Sequence, residues 1–319
     1  MQNRIIVILG TGGTIAGKSG NGLDNIGYKA ALVGVEQLVH AIPELATANL
    51  IFEQVAQIDS KDMSFSVWSD LARRAKFFLA RSDVGGVVIT HGTDTLEETA
   101  YFLHATLNPD KPVVLTCAMR PATSLASDGP QNMVDAVTLA GWPSARGVMV
   151  VCAGMIHGAV DVQKVHSYQL NAFSSGDAGA LGYIEENKPI VLRNWPVAQD
   201  LRLLTAIENI ADMDREQSWP WVEIVLNHVE ANGKLVDALV AQGVQGLVLA
   251  GTGNGTAHHA LEGALRAAQA SGVRVVRASR CPNGRVLAKP CDTFESSLGL
   301  NPVKARVALM LDLMVAMPR

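Results

Sequence analysis

Two threonines in glycine-rich stretches are the strongest candidates for chemistry in this sequence. Thr14 lies in GTGGTIAG, and Thr93 lies beside Asp94 in THGTD. A threonine hydroxyl is a weak nucleophile until a neighbouring group takes its proton. Glycines beside it let a substrate approach the backbone and leave N–H groups available to stabilise an oxyanion. A hydroxyl and a carboxylate side by side in such a place predict chemistry on a polar, anionic small molecule.

Three side chains are candidates for taking a threonine proton: Tyr28, Asp94 and Lys164. Tyr28 ends the glycine-rich stretch 18–28, which has few residues that could pack and is therefore predicted to be a mobile lid. Lys164 lies in the polar segment DVQKVH. A lysine in such a segment is most often solvated on the surface, so spacing alone leaves both a surface role and a catalytic role open for it.

The stretch 84–102 predicts how Thr93 and Asp94 are positioned. An apolar run ends at Thr90, and a helical pattern of apolar residues begins at Leu96. Asp94 and Glu97 have the spacing of a helix N-cap and its partner, which places Asp94 on the first helical turn. In an open α/β sheet, ligands bind where strands end and the positive ends of helices point.

The rest of the chain repeats this alternation, which predicts parallel sheets with right-handed crossovers. Predicted strands cover 4–9, 50–55, 112–117, 148–152, 222–226, 246–250 and 273–277. Predicted helices cover 35–41, 67–79, 131–139, 234–241, 257–270 and 302–317. The expected fold is α/β, with a larger N-terminal domain (1–190) whose mostly parallel sheet is flanked by helices and carries both threonines. A linker (191–216), where the pattern loosens, precedes a smaller C-terminal α/β domain (217–319).

Composition excludes several classes of protein. The 319 residues carry a net charge of −4 and a pI near 6.1, which gives no broad basic face for nucleic acid. No apolar run reaches the length of a membrane span. The opening MQNRIIVILGTGG reads as a strand and glycine turn rather than a signal peptide, so a cytoplasmic location is expected. The four cysteines lack zinc-site spacing, and reduced thiols are expected inside a cell.

Two other kinds of site are less well supported by the sequence. Residues 12–19, GGTIAGKS, match the P-loop pattern, which suggests a nucleotide-binding enzyme as an alternative. That motif requires a helix at the Lys-Ser pair, and the following GNGLDN is a poor helix start. Histidines at 157, 166, 258 and 259, with Asp161, show no defensible metal-ligand pattern. The expectation is therefore no metal and no cofactor.

Longer motifs resemble a known family. TGGTIAG (11–17) and THGTDTLEETAYF (90–102) resemble the two signatures of bacterial-type L-asparaginases. The resemblance continues through AMRP (118–121), SDGPQN (127–132), DVQK (161–164), AGTGNG (250–255) and LNPVKARV (300–307). It spans nearly the whole chain in the family's order, which makes it more specific than either signature alone.

The resemblance implies hydrolysis of L-asparagine to L-aspartate and ammonia through a threonine acyl-enzyme, without metal or cofactor, and with minor L-glutaminase activity. Thr14 matches the family's nucleophile, and Tyr28 matches the lid tyrosine that hydrogen-bonds it. Thr93, Asp94 and Lys164 match a second catalytic cluster, in which the carboxylate keeps the lysine in place. Which threonine attacks first stays open.

The resemblance also implies a substrate grip and an assembly. Ser60 and Asp94 match residues that bind the substrate's α-carboxylate and α-amine, and Ala118 matches a backbone contact. Asn254 matches a residue that completes the site from a second subunit. This implies a homo-oligomer, an intimate dimer assembled as a homotetramer.

Two departures from the family pattern affect the substrate grip. The family's usual Gly-Ser-Gln/Glu is Asp59-Ser60-Lys61 here. Lysine cannot accept a hydrogen bond from an ammonium group. The substrate's α-amine must therefore find another acceptor, or Lys61 points away. The stretch 283–299 is shorter than in periplasmic members and lacks an aligned glutamate. Affinity and the preference between asparagine and glutamine are therefore left open.

A non-catalytic relative that binds asparagine is the remaining alternative. Such a protein would bind the amino acid without releasing ammonia. The presence of Thr14, Thr93, Asp94 and Lys164 together argues against it.

Overall fold

A computed structural model describes residues 4–197, 200–205, 219–290 and 292–316. The chain divides into two compact units, Met1–Ile207 and Glu208–Arg319. The predicted linker, 191–216, lies partly outside the described residues, and the predicted domain boundaries stay predictions.

An eight-stranded sheet forms the centre of the first unit. The strands of this unit are, in chain order, β1 (Ile5–Gly12), β2 (Leu50–Ile58), β3 (Val84–Thr90), β4 (Pro112–Thr116), β5 (Gly147–Cys152), β6 (Met155–Gly158), β7 (Gln163–Lys164), β8 (Phe173–Ser174), β9 (Gly182–Glu185) and β10 (Lys188–Val191). The sheet order is β10-β9-β6-β5-β4-β3-β1-β2, and β7 and β8 form a separate two-stranded ribbon. The strands from β2 to β5 pair in parallel, whereas β6, β9 and β10 extend the sheet in antiparallel fashion.

Among the described residues of the first unit, four helices cover the sheet: α1 (Val35–His40), α2 (Phe65–Leu79), α3 (Leu96–Leu107) and α4 (Gly129–Ala140). Apolar residues of α1 and α4 share a core with one face of β1, β3 and β4. Helices α2 and α3 contact the sheet and each other, and the Trp68 ring stacks on Phe102 with centroids 4.7 Å apart. Because both faces are covered, β3, β4 and β5 are almost entirely buried, as parallel strands generally are.

The second unit has a smaller parallel sheet in the order β11 (Val222–Leu226), β12 (Gly246–Gly251), β13 (Arg274–Ser279) and β14 (Glu295–Ser296). Its helices are α5 (Lys234–Ala241), α6 (His259–Ala270) and α7 (Pro302–Ala316). A core of aliphatic residues, including Leu247 and Leu265, lies between the sheet and α5 and α6. The predicted α/β class, with a larger mostly parallel sheet and a smaller C-terminal sheet, is confirmed.

One local prediction is wrong. Helix α3 begins at Leu96 with Thr95 at its N-cap position, and no side-chain hydrogen bond caps it. Asp94 therefore precedes the helix instead of capping it. Its carboxylate accepts a hydrogen bond from Lys164, which satisfies the charge with an ammonium group rather than with the helix end.

None of the helices in the described part of the chain combines the length and the apolar character needed to cross a bilayer.

Candidate active site

Two glycines, Gly13 and Gly92, let three turns pack closely against one another. β1 ends at Gly12, and a single 3₁₀ turn, Thr14–Ala16, follows Gly13. The φ of Gly13 is 82°. A Cβ on Gly13 would overlap the Cα of Gly92, and a Cβ on Gly92 would overlap the Oγ of Ser60. Only glycine fits at either position. The turns that carry Thr14, Thr93 and Ser60 are thus held side by side at the carboxyl ends of neighbouring strands.

The first hydroxyl pair joins Thr14 and Tyr28. The Thr14 Oγ1 and the Tyr28 hydroxyl oxygen are 2.6 Å apart. Backbone hydrogen bonds of 3.0 and 2.9 Å between Lys18 and Lys29 close the base of the predicted lid stretch, and Tyr28 lies next to this closure. The phenol oxygen is therefore held within proton-transfer distance of the threonine hydroxyl.

The second cluster joins Thr93, Asp94 and Lys164. The Lys164 Nζ donates to the Thr93 Oγ1 at 2.8 Å and to the Asp94 Oδ1 at 2.6 Å. The lysine side chain is 18% exposed, whereas that of Asp94 is 52% exposed. The backbone N–H of Lys164 donates to the Glu97 carboxylate at 3.3 Å. The structure therefore places Lys164 against the threonine rather than on an open surface.

The turn at Ser60 is tied to the Thr93 turn. The buried Ser60 Oγ accepts from the backbone N–H of Asp94 at 3.1 Å, and the Ser60 carbonyl accepts from the Thr95 hydroxyl at 2.7 Å. Lys61 points elsewhere: its side chain is 62% exposed, and its Nζ lies 2.7 Å from Asp59 and 3.4 Å from Asp62. These two carboxylates surround the lysine charge.

Two polar residues, Asp128 and the buried Asn132, fix the loop at Ala118. The Asp128 carboxylate accepts from the backbone N–H groups of Met119 and Arg120, each at 3.0 Å. The Asn132 amide donates to the Cys117 carbonyl at 2.9 Å. Both residues belong to the SDGPQN motif. The motif could be recognised in the sequence, but its role in supporting the loop at Ala118 could not be predicted from it.

A buried histidine behind the Thr93 turn was also missed. The His91 Nδ1 lies 2.7 Å from the Gly92 carbonyl, and its Nε2 lies 2.9 Å from the Thr99 Oγ1. The Trp68 indole N–H donates to the same Thr99 oxygen at 2.8 Å. Burial lowers the pKa of His91 to about 4, so the ring is neutral near pH 7. Its position at the end of an apolar strand was the available signal.

Asn254 lies in the second unit, in the turn that follows β12. Its amide donates to the Leu287 carbonyl at 3.1 Å and accepts from the Leu287 N–H at 2.7 Å. The amide thus joins two loops of its own unit. Its role in a neighbouring subunit's site stays a prediction.

The P-loop alternative lacks its structural context. Lys18 pairs with Lys29 in an isolated antiparallel bridge, and the first α-helix after it, α1, begins at Val35. The 3₁₀ turn at Thr14–Ala16 precedes the Lys-Ser pair. No phosphate-binding helix therefore starts where the motif requires one.

Among the residues that the structure describes, no group of three or more His, Cys, Asp and Glu side chains could hold a metal ion. Three of the four histidines considered above have local hydrogen-bond partners instead. His157 pairs with Ser175 at 2.8 Å, His166 accepts from the Tyr168 N–H at 2.9 Å, and His258 accepts from the Ala260 N–H at 3.2 Å.

Two family models match the chain, "Asparaginase, N-terminal" over residues 5–197 and "Glutaminase/Asparaginase C-terminal domain" over residues 221–317. The chain belongs to the asparaginase family. The resemblance inferred from the motifs is thereby confirmed, and the asparaginase signatures account for the turns that carry Thr14 and Thr93.

Relatives match this asparaginase-family chain over almost its full length. It is 42% identical to L-asparaginase 2 of Escherichia coli over 97% of the chain and 88% of that protein. It is 40% identical to the probable periplasmic L-asparaginase of Haemophilus influenzae, with the same coverage. A crystal structure of a probable cytoplasmic L-asparaginase from Campylobacter jejuni matches with a TM-score of 0.89 and 39% identity, covering 97% of this chain and 95% of that one.

Proposed function

We propose that this chain is an L-asparaginase that hydrolyses L-asparagine to L-aspartate and ammonia. The observation that carries the proposal is the contact of the Lys164 Nζ with both the Thr93 Oγ1 and the Asp94 carboxylate. A threonine, a lysine and an acid in this arrangement can move protons beside an amide. The second threonine, Thr14, lies on the adjoining turn with its own partner, Tyr28. Family membership supports the same reaction.

We assign the attack to Thr14. Its hydroxyl adds to the side-chain amide carbon of the substrate, and its proton passes to Tyr28, 2.6 Å away, while the Tyr28 hydroxyl gives its own proton toward the substrate's amide nitrogen. The carbon–nitrogen bond then breaks, and the departing nitrogen takes a proton to leave as ammonia. This yields an ester between the threonine and the aspartyl group.

We assign the second half of the reaction to the Thr93 cluster. A water molecule adds to the ester carbon and gives its proton to the chain of Thr93 and Lys164. The ester bond breaks, and the Thr14 oxygen recovers a proton as aspartate forms. A lysine nitrogen can accept a proton only in its neutral form, so the ammonium group of Lys164 first passes a proton to the Asp94 carboxylate, with which it is paired. Asp94 holds the side chain in place through the hydrogen bond at 2.6 Å.

The Ser60 turn supplies the grip on the substrate's backbone end. The Ser60 Oγ already accepts from the Asp94 N–H, so its own proton is available to an α-carboxylate. Asp94, half exposed, is our assigned partner for the α-ammonium group. The Ala118 carbonyl is assigned the substrate's amide nitrogen. Lys61 influences the site only indirectly, because its ammonium group pairs with Asp59 and Asp62.

Minor L-glutaminase activity, a homotetramer and a cytoplasmic location complete the proposal. The name of the C-terminal family model includes glutaminases. Of the relatives, one is named as periplasmic and one as cytoplasmic. The fold match to the cytoplasmic protein supports the cytoplasmic location that we propose. We assign L-asparagine as the small-molecule partner, with no nucleic-acid or membrane partner. Asn254 from a second subunit is expected to complete each site.

The experiment is ammonia release from L-asparagine, L-glutamine and D-asparagine by the purified chain, compared with the Thr14→Ala variant. We expect turnover of L-asparagine above that of the other two, and a loss of several orders of magnitude in the variant. Binding of L-asparagine without ammonia release would support the non-catalytic alternative. Hydrolysis of ATP with magnesium would support the nucleotide-binding one.

A further inference from the structure

The hydrogen bonds around His91 determine which of its nitrogens carries the proton. A carbonyl oxygen only accepts, so the Nδ1 that lies 2.7 Å from the Gly92 carbonyl must be the protonated nitrogen. The ring is buried and neutral, and its Nε2 therefore bears a lone pair. The Thr99 hydroxyl must donate to that lone pair across 2.9 Å.

Trp68 completes the direction of this row. An indole N–H can only donate, and it does so to the Thr99 oxygen at 2.8 Å. The Thr99 hydroxyl then has one proton to give, and His91 is its acceptor. Every donor in the row from Trp68 to Gly92 is paired, so the tautomer and orientation of the imidazole are fixed from behind by α2 and α3.

This fixed ring acts on the peptide unit between Gly92 and Thr93. The peptide is trans, so its carbonyl and its N–H point in opposite directions. With the Gly92 carbonyl held toward the buried imidazole, the Thr93 N–H points away from it. The imidazole lies on the core side of this peptide, and the Thr93 N–H lies on the opposite side. Gly92, in the same turn, makes the close contacts with Gly13 and Ser60.

We propose that His91 is a positioning residue for the hydrolysis assigned above: through the Gly92 carbonyl it aims the Thr93 N–H at the oxygen of the substrate amide. This inference rests on the proposed function. The negative charge that develops on that oxygen during attack is stabilised by N–H groups already pointing at it. His91 therefore affects the transition state more than the binding of asparagine.

Three substitutions of His91 separate this role from simple core filling. The amide nitrogen of His91→Asn occupies the place of Nδ1 and can still donate to Gly92. His91→Gln places its amide near Nε2 and can reach Thr99 only, whereas His91→Leu fills space with no donor. We expect kcat to fall by roughly tenfold or more in the Gln and Leu variants. The Asn variant should keep most of it, with the KM for L-asparagine within about threefold throughout.

Thermal unfolding of each variant serves as the control for folding. Equal kcat losses in folded Asn and Leu variants, or a rise in KM at constant kcat, would overturn the inference. Wild-type ammonia release is measured in the same assay. Its absence would refute the proposed function and remove the basis of this inference, whereas normal wild-type turnover with no difference among the variants refutes only the role of His91.

A second measurement needs no variant of the histidine. Nitrogen NMR of the wild-type chain should show a neutral His91 with the proton on Nδ1. Thr99→Val, which removes the donor to Nε2, should lower kcat, and Thr99→Ser should restore it. A wild-type proton on Nε2 would contradict the role of His91 even if its variants failed to fold.

Discussion

Gly13 and Gly92 touch backbone to backbone, since a Cβ on Gly13 would overlap the Cα of Gly92. This contact joins the ends of two neighbouring parallel strands, β1 and β3, and so brings together the residues that follow each glycine, Thr14 and Thr93. The two threonines are therefore brought together by a backbone contact beyond the strand ends that leaves no room for a side chain.

Gly92→Ala should inactivate the enzyme while leaving most of the fold intact. The added methyl group meets the Ser60 Oγ and the Gly13 backbone, so the turns must move apart. We expect kcat/KM for L-asparagine to fall at least about a hundredfold, because displacements near 1 Å cost that much. The matched control is Gly263→Ala, a helical position where the added carbon meets no atom within 4 Å beyond the backbone of its own helix and its chain neighbours. Similar activity in both variants would contradict the close-contact account.

Lys164→Met should remove the proton path through Thr93. The substitution keeps much of the side chain's length but loses the donor to Thr93 and Asp94. We expect kcat to fall by about 10²–10⁴-fold, the usual contribution of a positioned acid or base. Lys188→Met, at an exposed position in β10, is the control for loss of a lysine. A variant at position 164 with near-normal steady-state ammonia release would exclude the lysine from the mechanism.

Lys61→Ala should change little. The Nζ of this lysine pairs with two acids on its own turn, and its side chain is mostly exposed, a setting in which ion pairs contribute little to stability. We expect the KM for L-asparagine and kcat to stay within about threefold of wild type. The companion Lys61→Gln restores an acceptor to the turn and should lower the KM. A tenfold rise in KM for the alanine variant would mean that Lys61 reaches the substrate.

Stability should fall as the pH drops below the ordinary pKa of histidine, in part because of His91. Burial lowers its folded pKa to about 4 from 6.5, so the unfolded chain binds an extra proton between these values. The contribution is present above pH 6.5 and is lost as the pH falls toward 4, amounting to about 3 kcal/mol in total. Urea unfolding of wild type and His91→Asn at several pH values measures this. Identical pH slopes for the two proteins would disprove it.

The sequence predicted the parallel half of the first sheet because those strands are apolar runs next to amphipathic helices. It did not predict β6, β9 and β10. These strands have four residues each, too few for a period of two to stand out. Their order is set by pairing with β5 and with one another, which is tertiary information.

The candidate site was predicted from motifs rather than from geometry. The contact between Lys164 and Thr93 joins residues 71 positions apart, and no local pattern announces it. Asp94 shows the opposite case, in which a local pattern predicts a contact that the structure does not have. Its spacing to Glu97 is that of a helix cap, yet its carboxylate accepts from the Lys164 Nζ, 70 positions away in the sequence.

The two-stranded ribbon of β7 and β8 carries Lys164 outside the main sheet, with Gln163 opposite Ser174 and Lys164 opposite Phe173. Lys164 therefore reaches Thr93 only when this short ribbon, which is distant from Thr93 in the sequence, has docked. In a refolding experiment, recovery of helical signal would report the central layers, and recovery of ammonia release would report the docking of this ribbon. A delay between the two signals would reveal an ordered but inactive species in which the β7–β8 ribbon has not yet docked.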